Sequence, residues 1–473
     1  MTMSPLAARD LAVLWHPCAQ MQDYRDFPPL EVVGASGCHL ELADGSRLID
    51  GISSWWCKSL GHRHPRLTAA LRAQSECFEH VILANTTNEP VVAFCEELLA
   101  AVNGGFAAGT GSGERGALGA AAPKTPATAA ILPAPLAKVF LSGDGSTGIE
   151  VALKLAVQFQ RQTGQAQRTR FACLENGYHG ESIATMSVSD CGLYKAPYAD
   201  LCFPTTVLSG LPYRCGPTDT RWQDAAAEWP AIAAQLDVVA DQLAGIIVEP
   251  VLQGAGGMRL YSPDLLRRLR SWCDAHGVVL IADEIATGMG RLGAILGCHL
   301  AGILPDIAVL SKGLTGGYLP LSATVLTQRI YAAFLGDWAS GRAFLHSNTY
   351  SGNALGVAVA RAALAVYHDE TVLAQVAQHG PTLALPELPW LRNHRQCGMM
   401  AAADVVQRDG TPFPAAARTG YRIYRAAVRR GALLRTLGDT VYLLPPLIAK
   451  AAVIAELRRI LTEAISEVCT TDV

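Results

Sequence analysis

The chain has 473 residues, a formal net charge of -3, and hydrophobic side chains at half of its positions. This length allows two domains, or one large α/β domain with an appendage. The near-neutral charge gives no indication of a nucleic-acid partner, and no apolar stretch reaches the roughly 18–20 residues of a transmembrane helix. Thirteen cysteines occur without a repeated spacing, and the segment MTMSPLAARDLAVLWHP has no basic region followed by an apolar one. We therefore expect a cytoplasmic protein with reduced thiols.

The first predicted strand and helix flank a turn that is rich in glycine and serine. KVFL (138–141) is a short apolar run of the kind that forms a buried strand, and SGDGSTG (142–148) follows it. The next residues, GIEVALKLAVQFQ, have helical periodicity. Such a turn can present backbone N–H groups to a phosphate at the helix N-terminus, although most turns of this composition are only turns.

AGIIVEP (244–250) predicts a second buried strand, which a glycine-rich loop and the segment SPDLLRRLRSWCDAHG follow. In that segment Ser262 can cap a helix, Pro263 suits its first position, and Gly277 can end it. The predicted buried face of this helix consists of Leu265, Leu266, Leu269, Trp272 and Cys273.

Two further apolar runs end in polar residues. VLIADEIATG (279–288) passes from apolar residues to two carboxylates, and DIAVLSKGLTGG (306–317) ends in a lysine and several glycines. The alternation of strands and helices predicts an α/β fold with a mostly parallel, doubly wound sheet. Because ligands bind at the carboxyl ends of strands in such sheets, we expect the polar residues at those ends to share one crevice. These residues are Asp144, Glu249, Asp283 and Lys312.

Two other segments depart from this alternation. Residues 103–137 are rich in Ala, Gly, Pro and Thr, and this composition predicts a flexible surface insertion. The last third, from about residue 361, is predicted to be rich in helix. Within it, GALLRTLGDTVYLLPP (431–446) predicts a strand, a turn and a strand.

Lysine is rare in this chain. Only 7 of its 38 Lys and Arg residues are lysine. A lysine in an apolar setting supplies an amine that can lose its proton and act as a nucleophile, which a guanidinium cannot. Lys312, Asp283 and the Gly/Ser turn therefore suit pyridoxal phosphate, because they offer an amine for the aldehyde, a carboxylate for the pyridine nitrogen and N–H groups for the phosphate. Each feature alone is more often a cap or a loop residue, so the combination carries the interpretation.

Three segments, VEPVLQGAGG, LIADEIATGMGRLG and LSKGLTGGYLPLSA, resemble the core of the class III, pyridoxal-phosphate-dependent aminotransferases. The resemblance runs from about Leu14 to about Pro446 and implies fold type I, a homodimer with shared active sites, and amino transfer from a small-molecule donor to a keto acid. The segments that resemble the branch of the family in biotin biosynthesis are LWHPCAQM (14–21), DGISSWWCKSLGHRHP (50–65), ENGYHGESIATMSVSD (175–190) and LHSNTYSGNALG (345–356). In that branch the amino donor is S-adenosylmethionine or, in some relatives, lysine.

The resemblance also implies roles for individual residues. It makes Lys312 the lysine that binds the cofactor aldehyde and Asp283 the partner of the pyridine nitrogen. The other implied cofactor contacts are Gly145 and Ser146 at the phosphate, Tyr178 on the ring, and Asn348 and Thr349 at the phosphate of the partner subunit. The implied substrate contacts are Cys18, Trp55, Tyr178, Lys312, Ser347 and Arg435.

Three positions depart from the family pattern. Cys18 stands where tyrosine is common after WHP, and Asn348 stands where proline is common. The phosphate turn often reads Asp-Ser-Gly-Ser, whereas here it reads Gly-Asp-Gly-Ser, with Asp144 in second place. An acid beside a phosphate is unfavourable unless its side chain points away or caps the following helix. These changes bear on substrate specificity more than on the reaction type.

The expected architecture is a large cofactor domain, residues 86–360, and a small domain that combines residues 1–85 and 361–473. Other class III activities stay open, namely an ω-amino-acid transaminase or an aminomutase, as does a non-catalytic protein of the same fold. A Rossmann dehydrogenase is disfavoured because SGDGSTG lacks the GxGxxG spacing. His62 and His64 have a spacing that suggests a metal, but a loop before a helix is the better interpretation, and no metal site is expected.

Overall fold

The computed structural model describes residues 3–105 and 134–470 of the chain. The strands are β1 (Val32–Ser36), β2 (His39–Leu42), β3 (Arg47–Asp50), β4 (Leu136–Ser142), β5 (Arg170–Leu174), β6 (Thr206–Leu208), β7 (Tyr213–Arg214), β8 (Leu243–Val248), β9 (Leu252–Gln253), β10 (Arg259–Tyr261), β11 (Val279–Asp283), β12 (Ile307–Leu310), β13 (Ser322–Thr327), β14 (Leu391–Cys397), β15 (Met400–Val405), β16 (Ala432–Leu433), β17 (Thr436–Leu437) and β18 (Thr440–Leu443).

The α-helices are α1 (Pro5–Val13), α2 (Ser53–Trp56), α3 (Pro65–Ser75), α4 (Glu89–Ala100), α5 (Gly145–Gln162), α6 (Ile183–Ser187), α7 (Trp229–Asp237), α8 (Pro263–His276), α9 (Gln328–Ala333), α10 (Ala354–Asp369), α11 (Val372–His379), α12 (Thr419–Arg429) and α13 (Ala451–Thr470). Within the described ranges, no helix combines the length and the apolar character that crossing a bilayer requires.

A seven-stranded sheet forms the centre of the molecule, in the order β4-β13-β12-β11-β8-β5-β6. The five strands from β12 to β6 are parallel to one another, and β13 runs antiparallel to both of its neighbours. Every residue of β8, β11, β12 and β13 is buried, as expected for strands that are covered on both faces. The predicted α/β fold with a mostly parallel sheet is confirmed.

Helix α8 shows how the sequence sets the bounds of an element. The Ser262 hydroxyl accepts the N–H of Asp264 at 3.2 Å, Pro263 takes the first helical position, and Gly277 ends the helix with a φ of +65°. All three predicted signals act as expected. The predicted apolar face is buried, namely Leu265, Leu266, Leu269, Trp272 and Cys273.

Two smaller sheets involve the two ends of the chain. One has the order β1-β2-β3-β16, so that β3 pairs in parallel with a strand from the C-terminal part. The other has the order β14-β15-β18-β17. The predicted strand-turn-strand of 431–446 was wrong in detail, because β16 belongs to the first of these sheets and only the β17–β18 hairpin to the second. The division into domains at 85/86 and 360/361 stays a prediction.

Most of the predicted insertion, residues 106–133, lies outside the described residues. Its two ends are held together by one side chain, since the Asn103 amide donates to the carbonyl of Leu136 at 2.8 Å and accepts the Leu136 N–H at 3.0 Å. The predicted end at 137 was too late, because Leu136 already belongs to β4 and pairs with Thr327 of the central sheet.

A variant that carries a short Gly/Ser link in place of residues 106–133 should keep its fold and most of its activity. The reason is that the Asn103–Leu136 contacts already fix the separation that the link must span, and a flexible loop of different length changes closure entropy only slightly. The melting temperature, oligomeric state and turnover of the variant measure this. A matched variant with Asn103→Ala in addition should melt lower. A changed oligomeric state of the linked variant would show that the segment packs against the protein or bridges subunits.

Candidate active site

A cavity of about 520 Å³ opens at the carboxyl ends of the parallel strands. It lies where β4, β8, β11 and β12 end, which is the edge at which α/β sheets bind ligands. The four polar residues predicted to meet there all line it, namely Asp144, Glu249, Asp283 and Lys312. The crevice therefore lies at the strand ends, as predicted.

Lys312 follows β12 at the start of a tight 3₁₀ turn, Lys312–Thr315, and has a φ of +42°. Its side chain is largely enclosed and reaches the cavity, and this burial lowers the pKa of the amine. The nitrogen lies 4.4 Å from the centroid of the Trp56 ring. Among the described residues it forms no hydrogen bond or ion pair. The amine is therefore available to a ligand.

Asp283 ends β11 and is almost fully buried. One carboxylate oxygen lies 2.7 Å from Nδ1 of His179, and the other accepts the N–H of Ile285 at 3.1 Å. These two hydrogen-bond donors offset the cost of burying the negative charge of Asp283 at the end of an apolar strand. His179 is itself buried, and its Nε2 has no hydrogen-bond partner among the described residues. A proton on Nδ1 directed at Asp283 fixes the orientation of the carboxylate towards the cavity.

Glu249 follows β8 and lies buried beside the same carboxylate. Its two oxygens accept the N–H groups of Tyr178 at 3.0 Å and of Gly254 at 2.9 Å. Burial raises the pKa of Glu249 to about 7, and repulsion from Asp283 adds to this rise. Glu249 thus holds the backbone of Tyr178 against the cavity.

The Gly/Ser turn forms the N-terminus of α5, as predicted. Asp144 accepts the N–H of Thr147 at 2.9 Å, and the Thr147 hydroxyl in turn accepts the N–H of Asp144 at 3.0 Å. The acid at this unusual position is therefore used as a helix cap. The N–H groups of Gly145 and Ser146 lie in the first turn, where a helix offers no acceptor, and both residues line the cavity.

The mouth of the cavity carries a partly exposed cation, Arg435. The Arg435 guanidinium lies 4.1 Å from the ring centroid of Trp55 and donates to the carbonyl of Cys18 at 3.3 Å. It pairs with no carboxylate in the part of the chain that the structure describes. Nearby, the hydroxyl of Tyr178 donates to Glu181 at 3.0 Å. Burial, reinforced by Glu181, raises the pKa of Tyr178 far above the ordinary value of a phenol.

Three residues that the resemblance assigned to the site do not line this cavity. Ser347 and Thr349 are exposed, and Asn348 is partly buried with its N–H directed at the Ser351 hydroxyl. Within one chain the structure therefore does not bring them to Lys312. The resemblance assigned two of them to the partner subunit's cofactor.

Some residues of the cavity wall were not predicted from the sequence, among them Trp56, Glu181, Tyr194 and Tyr442. Glu181 stands in the segment NGYHGES, in which the resemblance pointed to Tyr178. Tyr442 lies in β18, and nothing in its local sequence distinguishes it from a core residue. Only the pairing of distant strands brings it here.

The geometry fits pyridoxal phosphate in three respects. The Lys312 amine is free of hydrogen bonds to the described residues, the Asp283 carboxylate is oriented towards the cavity, and the start of α5 offers N–H groups to an anion. Together with the sheet, this cavity defines an α/β enzyme of fold type I that uses this cofactor.

Comparisons with known proteins agree with this class. Residues 20–465 match the family model described as aminotransferase class-III. The adenosylmethionine-8-amino-7-oxononanoate aminotransferase of Synechococcus elongatus is 40% identical over 92% of this chain and 93% of its own. The solved enzyme of the same name from Methanocaldococcus jannaschii has a TM-score of 0.86 at 28% identity and covers 98% of this chain and 99% of its own. An amine transaminase from an uncultivated Pseudomonas species, solved in its pyridoxal-phosphate-bound form, has a TM-score of 0.83 at 30% identity over 96% and 99%.

This chain belongs to the class-III aminotransferases, which use pyridoxal phosphate. The predicted family, fold type, cofactor and transferase activity are confirmed. The roles of the individual site residues stay predictions.

Proposed function

We propose that this enzyme transfers an amino group to 8-amino-7-oxononanoate, forming 7,8-diaminononanoate for biotin biosynthesis, with S-adenosylmethionine as the amino donor. The observation that carries this proposal is the similarity, along nearly the whole chain, to relatives with that substrate in their names. Arg435 supports it, because a guanidinium without an acidic partner at the cavity mouth can bind the carboxylate of a keto acid through two hydrogen bonds.

Lys312 and Asp283 have the central roles in the proposed reaction. The cofactor, when bound, supplies an electron-withdrawing ring that stabilises negative charge at the substrate carbon. Asp283 would hold a proton at the pyridine nitrogen, which would keep the ring electron-withdrawing. Lys312 would hold the cofactor through its aldehyde, and the same amine would move the proton of the substrate carbon. The lowered pKa of Lys312 assists this second role, since it increases the fraction of neutral amine that can accept a proton.

The other site residues would bind and orient. Gly145 and Ser146 would hold the phosphate at the N-terminus of α5, and Tyr178 would lie on the cofactor ring. Trp55 offers an aromatic face to the substrate beside Cys18, which has less reach than the tyrosine common at that position. The result is a mouth with one apolar wall and one cation, which suits a long apolar acid.

The site is proposed to be complete only in a homodimer in the cytoplasm. Ser347, Asn348 and Thr349 lie outside the cavity of their own chain and are exposed or partly exposed, which supports a role for them in a second subunit's site. In this proposal Thr349 and Asn348 contact the phosphate bound by the partner, and Ser347 contacts its substrate. With the predicted domain boundaries at 85/86 and 360/361, the cavity would lie between the cofactor domain and the small domain.

A paired-substrate assay tests the proposal. Purified enzyme with pyridoxal phosphate is given 8-amino-7-oxononanoate and one donor at a time, either S-adenosylmethionine, lysine or alanine, and 7,8-diaminononanoate is measured by mass spectrometry. We expect product with S-adenosylmethionine and little with the others. Product with lysine and not with the other donors would support the proposed acceptor and would show that lysine is the amino donor. Transfer between simple ω-amino acids and pyruvate without use of the oxononanoate would contradict the proposal, as would isomerisation of a single substrate.

A further inference from the structure

The turn Ser53–Trp56 has an unusual backbone. Its four residues have φ values of +50°, +44°, +71° and +74°, so the segment forms one turn of left-handed helix. None of them is glycine, and L-residues avoid this conformation because Cβ approaches the following carbonyl. A run of four such residues persists only where the surroundings hold it.

The first restraint on the turn is Asp50, which is completely buried. Its Oδ1 accepts the N–H of Ser54 at 2.9 Å, and its Oδ2 accepts the Ser54 hydroxyl at 2.7 Å. His62 Nε2 lies 2.9 Å from the same Oδ2. These hydrogen bonds lower the pKa of Asp50 although burial opposes the shift. Both oxygens of this carboxylate are therefore occupied by the turn and by His62.

The second restraint is Arg291, a buried arginine with no carboxylate partner among the described residues. Its guanidinium donates to the carbonyls of Met399 at 2.9 Å and Pro445 at 2.7 Å, and to the Ser53 hydroxyl at 3.4 Å. That hydroxyl donates to the carbonyl of Leu444 at 2.7 Å. Burial lowers the pKa of Arg291 to about 10. A buried cation without a counter-charge is costly, and here its hydrogen bonds tie the turn to two distant segments.

The result of these restraints is that two adjacent tryptophans face two different cations. The Trp56 ring lies 4.4 Å from the Lys312 nitrogen, and its own Nε1 donates to the Tyr442 hydroxyl at 3.2 Å. The Trp55 ring lies 4.1 Å from the Arg435 guanidinium. A cation over an aromatic face is attracted by the electrons of the ring. The turn thus sets the positions of both the Lys312 amine and the Arg435 guanidinium at the cavity mouth.

We propose that Asp50 and Arg291 are positioning residues. They hold the left-handed turn so that Trp56 keeps Lys312 directed into the cavity and Trp55 keeps Arg435 at its mouth. The proposal depends on the proposed function in one respect, which is that the substrate enters between Trp55 and Trp56. It predicts that the conformation of the turn, and not the charge of Asp50 as such, is what catalysis requires.

The test begins with Asp50→Asn, because an amide keeps the shape but accepts hydrogen bonds at one atom only. We expect kcat/KM to fall by about 10–100-fold, the scale of a displaced reacting group. Hydrogen exchange, measured on the holoenzyme and on the cofactor-free protein, should become faster in the peptide that spans residues 50–57. Arg291→Met, which keeps much of the volume, should act in the same direction on both readouts.

Rescue by glycine separates positioning from a general loss of structure. Glycine adopts positive φ without strain, so Ser54→Gly added to Asp50→Asn should recover at least about threefold in kcat/KM. Asp264→Asn is the matched control, because Asp264 also accepts a backbone N–H, that of Ala225, but lies at the start of α8 outside the cavity. It should leave kcat/KM and exchange in residues 50–57 unchanged. If Asp50→Asn does not fold, Ser54→Ala removes one of the same hydrogen bonds and should lower kcat/KM by about threefold or more.

Two results would overturn the proposal. In the first, the Asp50→Asn and Arg291→Met variants both keep kcat/KM, and the rate of hydrogen exchange in residues 50–57, within about threefold of wild type. The other is a loss of activity that Ser54→Gly does not recover. Failure of the proposed function would look different from either result. The wild-type enzyme would then be inactive with 8-amino-7-oxononanoate, but hydrogen exchange would still report on the conformation of the turn.

Discussion

Replacing Lys312 with alanine should abolish turnover, with a loss of about 10⁴-fold or more in kcat, because the same amine binds the cofactor and moves the proton. Nothing else within the described residues offers a second free amine at this edge of the sheet, since Lys58 donates to the carbonyl of Gly317 at 2.7 Å. Pyridoxal phosphate could still bind through the N-terminus of α5 without being covalently attached. Turnover and the mass of the borohydride-reduced cofactor adduct measure the two roles separately.

The control for this experiment is Lys58→Ala, which removes the other lysine near the cavity. In that variant the reduced adduct should still map to the peptide that contains Lys312. An adduct that persists on the same peptide in the Lys312→Ala variant would mean that another nucleophile binds the aldehyde. The identification of Lys312 would then be wrong.

The second large effect is expected from Asp283→Asn. This change keeps the shape of the side chain and removes the charge that holds a proton on the pyridine nitrogen. The ring then withdraws electrons less strongly, and the barrier to removing the proton from the substrate carbon rises. We expect the amino-donor half-reaction to slow by at least about 100-fold, the scale of losing one well-placed electrostatic group. Single-turnover conversion with saturating donor measures it.

Asp306→Asn is the matched control for Asp283→Asn. Asp306 is also buried in the central sheet, but it lies before β12, at the opposite edge, where it pairs with Arg270 and Arg329. Its loss should lower the melting temperature and leave the half-reaction within about threefold of wild type, because it is remote from the reacting atoms. A rate within threefold of wild type for Asp283→Asn itself would show that this carboxylate serves only to cap the strand end.

The central sheet and the crevice were predictable because they depend on local patterns and one general rule. Apolar runs identified β4, β8, β11 and β12, and parallel strands align their carboxyl ends. The strands β14 and β15 were missed for an equally local reason. LRNHRQC is apolar only at its ends, and MAAADV is rich in alanine, so neither has the composition of a typical strand.

The cavity wall was less predictable, because it depends on contacts between distant segments. The sequence SSWW contains no glycine, so nothing local predicts a left-handed turn. Its conformation is set by Asp50, which is close in the chain, and by Arg291, which is more than 200 residues away. The same holds for the contact of His179 with Asp283, which joins residues 104 positions apart.

The parallel pairing of β3 with β16 has a consequence for synthesis on the ribosome. Residues 47–50 lead directly into the tryptophan turn, but their partners are Ala432 and Leu433 of a 473-residue chain. All the residues between β3 and β16 are therefore synthesised before Arg435 and Tyr442, which contact Trp55 and Trp56, become available. Contacts of such long sequence separation are slow to form, because the entropy of closing the intervening loop must be lost first. We therefore expect the central sheet, whose strands lie within residues 136–327, to form before the C-terminal part completes the substrate pocket.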